Sequence, residues 1–367
     1  MIGRPSTEEI RRADSLLEMI TDGAARVRAM IAAAAALVAL LVAMPAADAQ
    51  EAPQDFYRNK TLKIIVGFPP GGGFDLYARM LADYLPRYLP GEPKMIVESM
   101  PGASTARAAS YLYNVAPQDG TVLGLFHHAL LANQALEAQA GDFDVTKFNW
   151  IGRMATRLNV GLTWHTAGVR TIEDAKKREV VMAATAVTAT SAMVPRAINH
   201  AAGTKFKVVL GYQGSADMIL AMERGEAHGM STGAWYDLAR DRPDWIKDPK
   251  IHVLFQISTK RIPDLSHIPV LADLATTEDD RAILDLLGRT EDMGRAFPVG
   301  PRVPPERVAL LRSAFAKMMA DPSFLREAAK HHFEIDFIRG DELQKFIAAV
   351  GGFRPELRDK AKKILMR

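Results

Sequence analysis

Apolar and polar positions along this chain switch between two periods. Residues 62–66 form a β-branched apolar run of the kind a buried strand carries. Beyond it Leu76, Met80, Leu81, Tyr84 and Leu85 recur at the spacing of one helix face, with Asp75 at the helix entry and Arg79 one turn on. Further strand-like runs occupy 95–98, 122–126, 180–184, 207–210, 227–231 and 252–257, with helix-like segments between them. That alternation predicts an α/β fold with largely parallel sheets. The stretch 297–305 (FPVGPRVPP) is barred from a helix interior by its prolines and reads as punctuation. After it the pattern predicts helices over 305–319, 322–330 and 341–351, the last with Leu343, Phe346, Ile347 and Val350 on one face.

Length and composition narrow the class. A chain of 367 residues, 48% hydrophobic, has enough apolar material for two core-forming domains and is not a disordered protein. Its 46 basic and 43 acidic residues leave a formal charge of +3, too mild and too evenly spread for a nucleic-acid partner. With no cysteine there is no disulfide framework, no thiolate nucleophile and no thiolate metal site. Residues 31–43 (IAAAAALVALLVA) are uncharged, follow Arg26 and Arg28, and precede Ala47-Asp48-Ala49, a small-x-small cleavage signal. The run is too short to span a bilayer, so 1–49 is expected to be a cleaved signal peptide with a long n-region, and an internal start such as Met19 would give that region an ordinary length. The expected destination is the periplasm.

The chemistry concentrates in glycine turns. Residues 64–85 read IIVGFPPGGGFDLYARMLADYL: a strand runs through glycines into a helix and presents unpaired N–H groups and the positive end of a helix dipole. A dinucleotide fingerprint from Gly71 would need glycine where Leu76 stands, and a P-loop from Gly67 would need Lys and Ser/Thr where Gly73 and Phe74 stand, so neither nucleotide motif fits. A second turn of the same kind, GYQGSADMILAMERGE, fills 211–226, with Ser215 or Asp217 opening its helix. His127 and His128 follow one strand-like run and face opposite ways, so one of them at most reaches a cleft. No HExxH motif or paired carboxylate accompanies them. No GxSxG elbow appears, and Ser191 and Ser215 have no assignable base. No catalytic residue, metal site or cofactor is expected.

Taken together, 64–85, IVESMPGAS at 96–104, VAPQDGTVLG at 115–124, GYQGSADM at 211–218 and DPSFLREAA at 321–329 resemble the periplasmic solute-binding receptors of the tripartite tricarboxylate transporter family, the Bug or TctC type. The resemblance covers nearly the whole chain after residue 49. It implies a two-lobed periplasmic-binding-protein fold, type II-like, each lobe a mainly parallel sheet flanked by helices. The lobes implied are 50–153 with the mainly helical return 293–367, and 154–292. It implies a monomeric receptor, not an enzyme, that grips a small organic carboxylate and delivers it to membrane subunits of such a transporter. A ligand sensor for a membrane signalling protein and an exported α/β enzyme are the alternatives. The positions implied for the ligand are Gly71, Gly72, Gly73, Phe74, Asp75 and His127 on one wall, with Thr188, Thr190, Ser191, Tyr212, Gln213, Gly214, Ser215 and Thr232 opposite. The chain departs from the family in two of these places: Phe74 stands where Thr or Ser is usual, and 184–191 lacks the usual glycines and histidine while keeping three hydroxyls. Phe74 either faces the cleft, which favours an aromatic or longer-chain acid, or turns away and packs beneath its own lobe, which leaves specificity untouched.

Overall fold

A computed structural model describes residues 56–366 apart from 139, 140, 157 and 332, together with the isolated positions 8, 19, 23 and 30. The expected signal peptide and its cleavage site therefore lie, but for those four positions, outside the described residues. The chain divides into two units, Met1–Ala52 and Pro53–Arg367, and the second carries the sheets.

The chain begins with β1 (Thr61–Val66), α1 (Gly73–Tyr84), β2 (Lys94–Ser99), α2 (Ala106–Asn114), β3 (Val122–Leu125), α3 (Ala129–Ala135) and β4 (Asn149–Arg153). It then passes to β5 (Asn159–Trp164), α4 (Ile172–Lys177), β6 (Val180–Ala183), α5 (Thr190–Ala202), β7 (Phe206–Val209), α6 (Ser215–Glu223), β8 (Gly229–Ala234), α7 (Trp235–Asp241), α8 (Pro243–Lys247), β9 (Ile251–Ile257) and α9 (Glu278–Asp292). It ends with β10 (Ala296–Val299), α10 (Pro305–Ala320), α11 (Pro322–Lys330), β11 (Ile338–Arg339), α12 (Gly340–Gly351) and α13 (Pro355–Leu365). Among the described residues the strands form two sheets, ordered β11-β4-β10-β3-β1-β2 and β7-β6-β8-β5-β9. The α/β class with two helix-flanked sheets is as the pattern predicts.

Each sheet is mixed rather than mainly parallel. The pairs β1–β2, β1–β3, β6–β7 and β6–β8 run parallel, while β4, β5, β9, β10 and β11 pair antiparallel. The parallel strands are the ones joined through helices, as parallel pairing requires. The antiparallel ones gather around the places where the chain changes sheets. The supposed punctuation at 297–305 opens inside a central strand: β10 lies between β3 and β4, and its Pro298 is accommodated because the register shifts between Phe297 and Pro298.

Both faces of β1 are covered beyond Lys63, which pairs with Glu98 at 2.7 Å near the strand's start, and so its remaining positions from Leu62 to Val66 are apolar. Leu62, Ile64 and Val66 join Tyr77, Leu81, Phe297, Leu311 and Phe315 in one core, and Ile65 turns to another with Phe126 and Leu131. That second core continues without a break into Val194 and Ile198 of α5, Leu284 of α9, Ile347 of α12 and Leu365 of α13, so it spans both sheets. A third core under the far face of the second sheet holds Leu162, Met218, Met222, Met230, Trp235 and Trp245. The buried stripe of α1 is Phe74, Tyr77, Ala78, Leu81 and Leu85, while Leu76 is exposed. Of the expected face Met80, Leu81 and Leu85 are buried and Tyr84 is half-buried, while Phe74 and Tyr77 fill the core in place of Leu76.

The two sheets are joined by two crossings, 154–158 and 293–295. They are hydrogen-bonded to each other: the Arg295 N–H donates to the Ala155 carbonyl at 2.8 Å, and the Met154 N–H donates to the Arg295 carbonyl at 3.0 Å. Gly294, at φ +55°, makes that approach possible, since a Cβ there would lie 2.1 Å from the Ala155 carbonyl oxygen. Gly294→Ala is expected to cost roughly 1–3 kcal/mol, the usual penalty of forcing extra volume into packed surroundings. Urea unfolding measures it, and an unchanged midpoint would mean that the crossings have room for a side chain.

Candidate functional site

The first glycine turn is held open by its own aspartate. Gly71, at φ +88°, donates its N–H to Asp75 Oδ2 at 2.9 Å, and the same carboxylate takes Arg79 Nε at 2.8 Å and Nη2 at 3.2 Å. Burial alone would raise the Asp75 carboxyl, but the hydrogen bonds from Arg79 and Gly71 outweigh it and hold the group below its ordinary value. Gly72 caps α1, and among the described residues the N–H groups of Gly72 and Gly73 have no hydrogen-bond partner. These two donors stand at the positive end of a 12-residue helix.

The second turn repeats the device. The Gln213 N–H donates to Asp217 Oδ2 at 3.0 Å, Gly214 caps α6, and Ser215 is its first residue. This turn is tied to the loop after β6 by Gly211 N–H to the Thr185 carbonyl at 3.1 Å and Tyr212 N–H to the Ala184 carbonyl at 3.3 Å. That loop in turn reaches the first sheet's side: Asn133 Nδ2 of α3 donates to the Thr188 carbonyl at 3.2 Å, and Thr188 Oγ1 stands 3.4 Å from Ser104 Oγ.

Several side chains expected at the ligand brace the walls instead. The Phe74 ring stacks on Phe68 at 4.4 Å with only 5% of the residue exposed, so it belongs to the core and leaves the cleft its backbone. Asp75 points back onto its turn and Arg79. Ser191 Oγ accepts the Thr185 N–H at 3.1 Å, and the Ser191 carbonyl accepts Ser231 Oγ at 2.9 Å. Thr190 is fully buried and its Oγ1 has no hydrogen-bond partner, Thr232 is buried in β8, and Tyr212 packs against the third core. His127 is half-buried beside Phe68 and Phe74, its Nδ1 accepting the Ala129 N–H at 2.9 Å. The pair does not alternate as expected of an extended segment: both histidines lie beyond β3, their ring centroids are 4.1 Å apart, and His128, in a helical conformation at the entry of α3, is fully buried. Its Nε2 lies 2.5 Å from Glu291 Oε1 in the interior, and Asn159 Nδ2 donates to the other oxygen of that carboxylate.

Three features escaped the sequence. Ala103, Ser104 and Thr105 follow one another at φ +47°, +49° and +73°, a left-handed run of residues that carry a Cβ. It is held by Thr105 Oγ1, which accepts the His127 N–H at 3.0 Å. Beneath the first glycine turn lies Arg295, 3% exposed, its Cζ 4.1 Å from the Tyr77 ring centroid and its Nη2 3.3 Å from Asp237 Oδ2 of α7. Beside the crossings, Arg153 donates to the Asp336 carboxylate at 2.6 Å and to the Asp292 carbonyl at 2.5 Å. Glu334 accepts the Thr156 hydroxyl at 3.2 Å. An arginine embedded in the apolar run 293–299 was the available signal for Arg295. Among the described residues no group of three or more His, Asp or Glu side chains could hold a metal, and no helix is long and apolar enough to cross a membrane.

No family model matches the chain. It is 25% identical over 338 residues to the UPF0065 protein in the gbd 5′ region of Cupriavidus necator, covering 88% of this chain and 92% of that one. Among solved structures it is similar to a TctC solute-binding protein from Polaromonas, at 20% identity and a TM-score of 0.58, covering 83% of this chain and 99% of that one. It is also similar to an R. palustris protein solved with adipate, at 21% identity and a TM-score of 0.63, covering 83% and 98%. The chain has the TctC solute-binding fold. In that fold the glycine turns of this chain stand at the C-terminal ends of β1 and β7, where α/β sheets bind their ligands.

Two outcomes follow from the site's strain and charge. Ser104→Gly relieves one left-handed residue and should raise stability by about 1 kcal/mol; calorimetry showing a lower melting temperature would mean that the serine earns its place by packing. Burial pushes Glu334 up to about 7 from 4.5, with Thr156 and Arg295 pulling it back and Asp336 and Asp237 pushing it further. The folded state therefore holds this proton more tightly than the unfolded one. Its stabilisation is complete below about pH 4.5 and is lost as pH rises through about 7. Glu334→Gln, which mimics the protonated acid, should match the wild-type melting temperature at pH 4.5 and exceed it by a growing margin up to pH 8.

Proposed function

We propose that this chain is a periplasmic receptor of the Bug/TctC family that closes on a small organic carboxylate and delivers it to the membrane subunits of a tripartite tricarboxylate-type transporter. The observation that carries the reading is the pair of N–H groups at Gly72 and Gly73, at the positive end of α1, left over once Asp75 has taken the Gly71 N–H. A carboxylate seated there receives charge-assisted hydrogen bonds, each of roughly 1.5–3 kcal/mol by mutational measure, and needs no side-chain cation in contact. The wall beyond the first sheet contributes hydroxyl and backbone groups around Thr188, Gly214 and Ser215. The adipate in the R. palustris relative supports a carboxylate of that general size. Because the Phe74 ring is committed to the core, any preference for an apolar ligand body has to come from other residues.

A thermal-shift screen of the protein against mono-, di- and tricarboxylates and aromatic acids tests the reading, since a ligand that binds only the folded state raises the melting temperature. Gly72→Val tests the placement. Gly72 has φ −85°, which valine adopts readily, and a Cβ there meets nothing within 4 Å, so the variant folds. Its side chain fills the space in front of the donors, and the melting shift given by the best acid is expected to vanish. An undiminished shift in folded Gly72→Val would move the site elsewhere.

A further inference from the structure

We propose that Arg295 makes the first glycine turn selective for charge and ties that turn to the second sheet's side through Asp237. The first half rests on the function proposed above; the second stands on geometry alone.

The backbone of Arg295 is fixed by its two hydrogen bonds in the crossing ladder, and its side chain runs under the first turn of α1. There it comes so near the glycine turn that a Cβ on Gly73 would lie 2.9 Å from Nη2. Close packing of a guanidinium against the turn is thus a second reason for glycine at this position. The cation is almost wholly buried, yet the protein compensates it thinly. Its carboxylate partner, Asp237, is shared with Arg240 at 3.4 Å; its other neighbours are the faces of Tyr77 and Phe74 and the Glu334 carboxyl, which burial pushes up to about 7 and so keeps largely neutral below that pH; and its Nε has no hydrogen-bond partner. A buried guanidinium with spare donors leaves a positive potential at its surroundings. The nearest backbone is that of Gly73, where the helix dipole has the same sign. An anion held by the Gly72 and Gly73 N–H groups therefore sits over a fixed positive charge, and a neutral isostere gains nothing from it.

Asp237 stands in the first turn of α7, directly after β8 of the second sheet, whereas Arg295 leads into β10 of the first. The pair spans the two sheets. Separating them would strip a buried cation of its carboxylate, a costly step unless another anion replaces it. Asp237 and the anion on the turn thus compensate the same charge. Arg295 acts through the turn and through Asp237, so it is a positioning residue.

The test has two arms. The chain lacks cysteine, so Lys94→Cys and Lys177→Cys, exposed positions on β2 and α4, take spin labels at those sites alone. Without added acid, the label distance should be single and short in this background, and should lengthen or broaden with Asp237→Asn and with Arg295→Met, while Arg295→Lys keeps most of the short population. Distances unchanged in both Asp237→Asn and Arg295→Met overturn the tie. In the second arm calorimetry compares adipate with adipamide and benzoate with benzamide. The acid-over-amide preference should fall about tenfold in Arg295→Met, persist in Asp237→Asn and return in Arg295→Lys. Equal losses for acid and amide would reduce Arg295 to a packing role. A wild-type protein indifferent to every acid of the wider panel would remove the anion grip itself, while the label distances would still decide the tie. If Arg295→Met does not fold, Arg295→Gln, which keeps polar contacts but not the charge, takes its place in both arms with the same expected and overturning results.

Discussion

The structure depends on how a chain can pass twice between two sheets without leaving buried polar backbone unpaired. Its solution is to run the crossings side by side, so that Met154, Ala155 and Arg295 satisfy one another. Each buried N–H or carbonyl left without a partner would cost about as much as a lost hydrogen bond. The rest of the architecture falls in around this short ladder: β4 and β10 pair antiparallel because they enter and leave it, and β5 starts the second sheet in the same sense.

Once two crossings are adjacent, the side chains around them are also forced inside. Charges gather there: Arg153 with Asp336, Asp292 capped by the hydroxyls of Ser258 and Thr259, His128 with Glu291, and Arg295 with Asp237. Burial pushes the Asp292 carboxyl up, with those hydroxyls and Arg153 opposing it. Such pairs are weak contributors to stability when replaced by apolar groups but expensive to break singly. That asymmetry suits a joint, because it penalises partial rearrangement and favours a small number of complete ones. The region where the two sheets meet thus combines an apolar core shared by both with a polar seam whose members depend on each other.

What could be read from the sequence was what is local. The strand at 62–66, the glycine turn after it and the helix beyond announce themselves through β-branching, glycine and i,i+4 charge pairing, and three of the four C-terminal helices, all but α13, through proline and periodicity. Of the antiparallel strands, β9 was legible at 252–257, while β4, β5 and β10 were not. The sequence of β4 is NWIGR, that of β5 is NVGLTW with a bulge, and β10 contains a proline tolerated by a register shift, so none carries the pattern of an interior strand. The left-handed run at 103–105 was invisible because alanine, serine and threonine seldom adopt it. Tertiary contacts hold it in place, foremost that of Thr105 with the His127 N–H, 22 residues along the chain. Arg295 and Asp237 were illegible for a related reason: a lone charge in sequence reads as surface, and nothing local says that the fold will bury it.

The two glycine turns show how such context decides function. Both spend their first N–H on an aspartate at the third helical position, which sets the turn and moves the available donors one residue along, onto the helix axis. The copies differ in what surrounds the aspartate. Asp75 is buried, doubly bonded to Arg79 and backed by Arg295, whereas Asp217 is exposed and its turn rests on two backbone bonds to the loop after β6. A rigid donor pair needs no reorganisation to receive an anion, while a turn supported by a loop can adjust to the body of the ligand. Under the proposed carboxylate grip, the same local motif divides its labour through its neighbours: the first turn fixes where the charge goes, and the second adapts to what the charge is attached to.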